Sequence, residues 1–283
     1  MIQDIAPHVY DNSFQHRREP RDDDFVFITR NGKEMLLKQE GEAFRFPTVA
    51  ECGRGGLRFA FLVDDRAFFL GTDAPEKEGF AFEKEARFRT LRPQWLAFAG
   101  ITGMQLSRWY AGRKFCGRCG REMRDSLDER ARVCDACGMI EYPKLSPAVI
   151  VAIVHDGKLL VTKYADRPLT SLALVAGYTE IGETVEETIR REVMEEVGLR
   201  VKDLTFYKSQ PWSFSDSLLM GFFCRLDGED ETVALDEHEL KEAHWLRPED
   251  LPCRAGEPSM TAEMMEQFRL GRAEELLKKT ERE

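Results

Sequence analysis

Apolar and polar positions alternate in short runs along the first hundred residues. Phe25–Thr29, Glu34–Lys38, Leu57–Val63 and Ala67–Leu70 read as strands, parted by the turn signals Asn31-Gly32 and Asp64-Asp65. From about Pro93 to Arg113 the spacing turns helical, with Trp95, Leu96, Phe98, Ile101, Leu106 and Trp109 on one broad apolar face. Aromatics at that spacing are expected to pack in a core rather than against a cofactor. A second series starts at about Ser146. Ala148–Val154, Lys158–Lys163, Leu172–Gly177, Leu204–Gln210, Leu218–Leu226 and Ala243–Leu246 read as strands, with helices between Thr184 and Gly198 and from about Ser259 to Lys279. Strands interleaved with helices predict an α/β sandwich with a mixed sheet.

The helix after Gly177 has two distinct faces. Thr184 and Glu187 form a capping-box pattern, Val185, Ile189, Val193 and Val197 recur every fourth residue, and Gly198 suits the position after the helix end. On the other side Glu192, Glu195 and Glu196 stand at i, i+3 and i+4, so three carboxylates converge on one patch. Such a patch is either a solvated acidic face or a site for a hard divalent cation with oxygen ligands.

The seven cysteines divide into four and three. Cys116-Gly-Arg-Cys119 and Cys134-Asp-Ala-Cys137 are paired knuckles whose spacing predicts a closed, structural Zn²⁺ ribbon, one ion per chain. Cys52, Cys224 and Cys253 have no partner at ligand spacing and are expected to be reduced thiols. Three regions follow: a β-rich N-terminal domain with a terminal helix (1–112), the ribbon (113–145) and an α/β domain (146–283). Asp22–Asp24 and the nearby arginines read as a solvated, charged lead-in. Cys52-Gly-Arg-Gly-Gly56 lacks the Gly-Lys-Ser/Thr of a P-loop and reads as a plain loop.

Charge narrows the partners. The formal net charge is −10, against a general nucleic-acid or anionic-membrane surface. No apolar run approaches the roughly 20 residues of a membrane span, and the N-terminus lacks a signal-peptide pattern. A cytoplasmic protein without a membrane partner is expected.

Gly177, Glu183, Arg191, Glu192, Val193, Glu195, Glu196, Gly198 and Leu199 together resemble, without departure, the signature of the Nudix hydrolases. Further on, Ser209-Gln-Pro-Trp-Ser-Phe-Ser-Asp-Ser217 resembles the Ser-Gln-Pro-Trp-Pro-Phe-Pro-x-Ser signature of the NADH pyrophosphatases, which also carry a four-cysteine ribbon upstream. Ser213 and Ser215 replace the two inner prolines, and the loss of two fixed φ angles is expected to loosen this loop. Taken alone, the stretch reads as an ordinary inter-strand turn with a Trp tucked into the core rather than as a stacking site.

The resemblance spans roughly Arg113 to Leu251 and implies a Nudix α/β/α sandwich. It implies Mg²⁺ or Mn²⁺ at Glu192, Glu195 and Glu196, with the Ala176 backbone and Glu239 as further contacts and Glu242 as the alternative to Glu239. Tyr142, Tyr178, Gln210, Pro211, Trp212, Ser213, Phe214, Ser215, Asp216, Ser217 and Thr261 are the implied dinucleotide contacts. Arg191 is read as orienting the carboxylates rather than touching substrate. The implied activity is hydrolysis of the NAD(H) pyrophosphate bond to NMN(H) and AMP, with removal of NAD caps from RNA, in a homodimer. Two alternatives stand beside it. One is a Nudix hydrolase of another nucleoside diphosphate derivative such as ADP-ribose. The other is a zinc-ribbon binding module with an inactive hydrolase domain, disfavoured by the intact glutamates and by the absence of an evident basic surface.

Overall fold

The apolar runs become strands in the computed structural model, which describes residues 1–71, 79–165, 172–236 and 238–280. Two units form, Ile2–Lys144 with Ser213–Asp216, and Leu145–Trp212 with Ser217–Glu283 and Met1. In the first, β1 (Tyr10–Asp11), β2 (Phe25–Phe27), β3 (Thr29–Arg30), β4 (Glu34–Glu40) and β5 (Ala43–Arg45) precede a one-turn helix α1 (Val49–Cys52). Then come β6 (Arg58–Val63), β7 (Arg66–Leu70), β8 (Ala81–Lys84) and the long helix α2 (Gln94–Gly112). One sheet runs β1-β6-β7-β2, and another runs β3-β4-β5 with β8 also on β4. The single strand expected at Phe25–Thr29 is divided at Ile28, because Phe25–Phe27 pair with β7 whereas Thr29 and Arg30 pair with β4.

The core of this unit is aromatic. Phe27, Phe46, Phe61, Phe68 and Phe88 close around Leu96, Phe98, Ile101 and Met104 of α2. A Cβ on Gly100 would lie 2.2 Å from Phe88, and one on Gly103 would lie 2.3 Å from Phe27. The two glycines therefore let the rings rest on the helix backbone, which offsets their helix cost of about 1 kcal/mol each.

The charged lead-in is only partly solvated. Asp22 and Asp23 are exposed, but Asp24 is 1% exposed. Arg18 grips it with two nitrogens at 2.6 and 2.7 Å, and the Arg21 and Ala67 backbone N–H groups donate to it at 2.7 and 2.9 Å. A carboxylate this well supplied with donors withstands burial.

The ribbon adds β9 (Arg124–Asp125), β10 (Arg132–Val133) and β11 (Ile140–Glu141), ordered β11-β10-β9.

The second unit contains β12 (Ser146–His155), β13 (Lys158–Tyr164), β14 (Val175–Tyr178), α3 (Val185–Val197), β15 (Val201–Trp212), β16 (Ser217–Leu226), β17 (Leu240–Leu246), α4 (Met260–Arg269) and α5 (Ala273–Thr280). Its sheet is β15-β16-β12-β13-β17, with β14 on β12. The β12–β16 pair is parallel and the others are antiparallel. Alternate residues of β12 point to opposite faces. Val149, Val151 and Ile153 pack with Ile189, Val193 and Val197 of α3, while Ile150, Ala152 and Val154 pack with Met260, Met264 and Phe268 of α4. Burial on both faces is why this strand is an unbroken apolar run in the sequence. The result is an α/β/α sandwich. The helix expected from Ser259 to Lys279 is two helices, parted around Gly271, whose φ of 72° is left-handed.

Candidate active site

The glutamate helix is held in register at both ends. Thr184 Oγ1 accepts the Glu187 N–H at 3.2 Å, and the Glu187 carboxylate accepts the Thr184 N–H at 2.7 Å. Gly198 ends α3 at a left-handed φ of 69°. Within this frame Arg191 is a hub. Its Nε and Nη2 donate to the two oxygens of Glu183 at 2.5 and 2.9 Å, and Nη2 also donates to the Tyr178 carbonyl at 2.9 Å. Its Nη1 donates to Glu192 at 2.8 Å and to Glu195 at 2.9 Å. The orienting role read for Arg191 thus has its geometry. Glu183 further accepts the Glu180 N–H and the Thr188 hydroxyl, each at 3.0 Å. Arg191 first, then these donors, hold its carboxyl down at about 2.

Gly177 has no room for a side chain: an added Cβ would lie 1.9 Å from Glu192 Cδ. Glu192 therefore rests against the β14 backbone itself. Burial raises its pKa, and Glu195 and Glu239 add to the rise against the pull of Arg191.

Glu196 is the most confined of the set, at 3% exposure. Its Oε1 accepts the Ala176 N–H at 3.4 Å, whereas its Oε2 is buried with no hydrogen-bond partner among the described residues. Burial, reinforced by Glu192, Glu239 and Asp236, pushes its carboxyl up to about 8. Asp236 carries no signal in the sequence reading. It lies 40 residues beyond Glu196 and reaches it because its backbone N–H donates to the Glu196 carbonyl at 3.1 Å. The Asp236 carbonyl also accepts from the Glu239 and Leu240 N–H groups, which builds the turn presenting Glu239. Glu242 is engaged elsewhere, paired with Lys163 at 2.7 Å across the β13–β17 ladder and with His244 at 3.0 Å. Lys163 and then His244 hold it at about 2.

These donors suit a hard cation: every one is an oxygen, the local charge is negative, and one buried oxygen lacks a partner. They are less tightly gathered than the thiols. Among the described residues, the one group of His, Cys, Asp or Glu ligand atoms lying within 4.8 Å of one another is Cys116, Cys119, Cys134 and Cys137. Arg191 Nη1 bridges Glu192 and Glu195, setting a positive charge between carboxylates that would otherwise repel each other.

In the ribbon, the Sγ atoms of Cys116 and Cys137 are 3.6 Å apart and those of Cys119 and Cys134 are 3.5 Å apart. A tetrahedron with Zn–S bonds of about 2.3 Å has edges of about 3.8 Å, so the four sulfurs fit Zn²⁺. The Cys119 and Arg118 backbone N–H groups draw the Cys116 thiol down to about 7, while burial and the neighbouring thiols push the Cys137 thiol up.

The remaining residues fall in several places. Tyr178 is 51% exposed on β14, with its hydroxyl 3.3 Å from Ser217 Oγ. Thr261 is half-buried in the first turn of α4. Tyr142 belongs to the N-terminal unit, is 58% exposed, and donates to Glu129 at 2.9 Å. The stretch expected as a loop is largely strand. Gln210, Pro211 and Trp212 end β15, Ser217 begins β16, and register pairs Trp212 with Ser217. Gln210 is fully buried, with its amide bonded to Pro258 O at 3.1 Å and to the Met260 N–H at 2.7 Å. That ties it to the start of α4.

The turn itself, Ser213–Asp216, clusters with the N-terminal unit. Arg108 of α2 donates to the Ser213 carbonyl and, at 2.7 Å, to Asp216 Oδ1. Arg89 lies 4.6 Å over the Phe214 ring, while Ser215 is exposed. The loosening expected from two missing prolines is therefore countered by a guanidinium that bridges both ends of the turn. Sequence spacing carries no trace of Arg108.

Residues 144–268 match the NUDIX domain, and residues 114–142 match the NADH pyrophosphatase zinc ribbon domain. The α/β/α unit is a Nudix domain that follows a zinc ribbon. Over 150 residues, the chain is 41% identical to the NAD-capped RNA hydrolase NudC of Escherichia coli O1:K1 / APEC and 42% identical to that of Shigella flexneri. Each match covers 53% of this chain and 58% of the relative, so the likeness spans little more than half of either protein. A NUDIX hydrolase crystal structure from Nitrosomonas europaea is 23% identical, with a TM-score of 0.48, over 57% of this chain and 93% of that one. Residues 114–268 thus carry a NADH pyrophosphatase zinc ribbon domain followed by a NUDIX domain, and over 150 residues the chain is similar to the NudC relatives.

Proposed function

We propose that this protein is a metal-dependent pyrophosphatase that hydrolyses NAD(H) to NMN(H) and AMP and removes NAD caps from RNA. The observation carrying this reading is Glu196 Oε2, a buried carboxylate oxygen without a partner among the described residues, set among Glu192, Glu239 and Asp236. The relatives' printed activity and the shared ribbon support the substrate class. Glu192, Glu195, Glu196 and Glu239, with the Ala176 backbone, would hold Mg²⁺ or Mn²⁺. When bound, such an ion supplies neutralisation of the pyrophosphate charge and acidification of water. Hydrolysis forms one new P–O bond from water and breaks the bridging P–O bond, with the water proton passing to solvent.

The protein's own part is positional. Arg191 fixes Glu192 and Glu195 through one nitrogen, and Gly177 admits Glu192 against β14. The exposed ring of Tyr178 is a stacking surface for a base or nicotinamide. Pro211, Trp212 and Ser217 form the matched strand ends, and Arg108 with Arg89 orients the turn Ser213, Phe214, Ser215 and Asp216. Tyr142 and Thr261 complete the proposed dinucleotide set. The ribbon cysteines would hold Zn²⁺ with no open position. The reading includes a homodimer in the cytoplasm; among the described residues, no helix is long and apolar enough to cross a membrane.

The test is side-by-side hydrolysis of NADH, NAD⁺, ADP-ribose and NAD-capped RNA with Mg²⁺ or Mn²⁺, with Glu196→Gln as control. NADH or capped RNA should be preferred, and Glu196→Gln should lose most turnover. Preference for ADP-ribose would move the protein to the other Nudix reading.

A further inference from the structure

The ribbon's first knuckle has a surface that metal binding does not account for. Lys114, Phe115, Arg118 and Arg121 are all exposed on the turn from Lys114 to Glu122, and Phe115 is 64% exposed. Among the described residues, none of the three cations has an acidic partner or a side-chain hydrogen bond. Their neighbours contrast with them: Arg113 pairs with Glu141, Arg124 with Asp135, and Arg58 and Arg132 both with Asp125. Those pairs use Asp125, Asp135 and Glu141 and leave Glu122, Asp128 and Glu129, the last accepting from Tyr142, as the local acids. The second knuckle has Asp135 and Ala136 at its tip, so zinc does not require arginine there.

The turn is also stiff. Cys116 N–H donates to the Arg121 carbonyl at 2.7 Å, Met123 N–H donates to the Lys114 carbonyl at 2.9 Å, and Phe115 bridges to Glu122. Gly120, at a φ of +71°, has nothing within 4 Å of where a Cβ would stand, so the backbone is open to close approach. Free cations beside an exposed ring on a rigid scaffold suit a single strand of nucleic acid: phosphates meet the cations and a base stacks on the ring. An acidic overall charge is compatible with this, because the contact is local.

We propose that the Lys114–Glu122 knuckle, with Lys114, Arg118, Arg121 and Phe115, binds the RNA chain of a capped substrate, without regard to base sequence. This rests on the capped-RNA reading above. The probe is a single-stranded RNA of about 20 nucleotides with a 5′ monophosphate, followed by fluorescence anisotropy over a salt series on protein of verified zinc content. Arg118→Glu with Arg121→Glu should weaken binding and flatten the slope of log affinity against log salt by about 1.4, two phosphate contacts at about 0.7 each. Phe115→Ala should weaken binding about tenfold. With NAD-capped RNA, kcat/KM of the double variant should fall at least tenfold while that for NADH is unchanged.

Unchanged RNA affinity and salt slope in the zinc-loaded double variant would overturn the proposal. So would an equal fall for NADH and capped RNA, or binding to phosphatidylserine vesicles with none to RNA. If the wild-type protein cleaves NADH but not capped RNA, the decapping reading fails on its own. The anisotropy arm then still decides whether the knuckle binds RNA.

Discussion

Glu196 should be a liability to the fold until a cation reaches it, and Glu196→Gln makes this measurable. The folded carboxyl sits at about 8 against an ordinary 4.5. The folded state therefore keeps a proton that the unfolded state releases, and stability is lost as pH rises from about 4.5 toward 8 and is level above that. At about 1.4 kcal/mol per pH unit, the cost at pH 7 is about 3 kcal/mol. Glutamine removes this titration but leaves a buried amide short of partners, a cost of about 1 kcal/mol. A net gain of about 2 kcal/mol should raise the melting temperature of the Nudix unit by about 5 °C.

The assay is differential scanning calorimetry of both proteins, zinc-loaded and free of Mg²⁺ and Mn²⁺, at pH 4 and pH 7.5. The variant should melt higher at pH 7.5, and at pH 4, where only the amide cost of about 1 kcal/mol remains, it should melt slightly lower than wild type. Adding Mn²⁺ should stabilise wild type alone and reverse the order. A variant that melts below wild type at pH 7.5, or that differs from it by the same margin at both pH values, would show that the buried Glu196 charge carries no such cost.

Gly177→Ala should fold but lose about a hundredfold in kcat, since displacing Glu192 by about 1 Å misplaces the reacting groups; wild-type turnover would show that the close approach is unimportant. Arg108→Gln should raise KM for NADH more than for ADP-ribose, and equal changes for both would show that the Ser213–Asp216 turn does not govern choice. Asp24→Asn should cost about 3 kcal/mol in a denaturant melt, because it leaves Arg18 beside a neutral side chain. Burial works against the Asp24 charge, but Arg18 and the Arg21 and Ala67 N–H groups outweigh it and lower its pKa. That stability is present above the ordinary carboxylate range and is lost as pH falls through the lowered folded value; a pH-independent difference between the two proteins would count against it. Cys119→Ser should lower zinc content and melting temperature together, and a variant with full zinc and unchanged melting would rule out the ribbon's structural role.

The sequence by itself determined whatever depends on near neighbours in the chain. Period-two and helical spacing located most strands and the α2 and α3 helices, Thr184 and Gly198 bounded the glutamate helix, and two Cys-x-x-Cys knuckles located the ribbon. These are legible because each rests on a few residues within one turn or one strand. The division of Phe25–Thr29 at Ile28 was not legible, since both halves are apolar and only their partners differ.

The tertiary structure decided the rest, because strand pairing and packing join positions that spacing cannot relate. It set Gly177 against Glu192, brought Asp236 to Glu196, and committed Glu242 to Lys163. It buried Asp24 under Arg18 and gave the Ser213–Asp216 turn a clamp from Arg108. Among the described residues, it also left the cations of the first knuckle without acidic partners while pairing those around them. A charge's partner depends on which surfaces meet, and burial then fixes how much that partner matters.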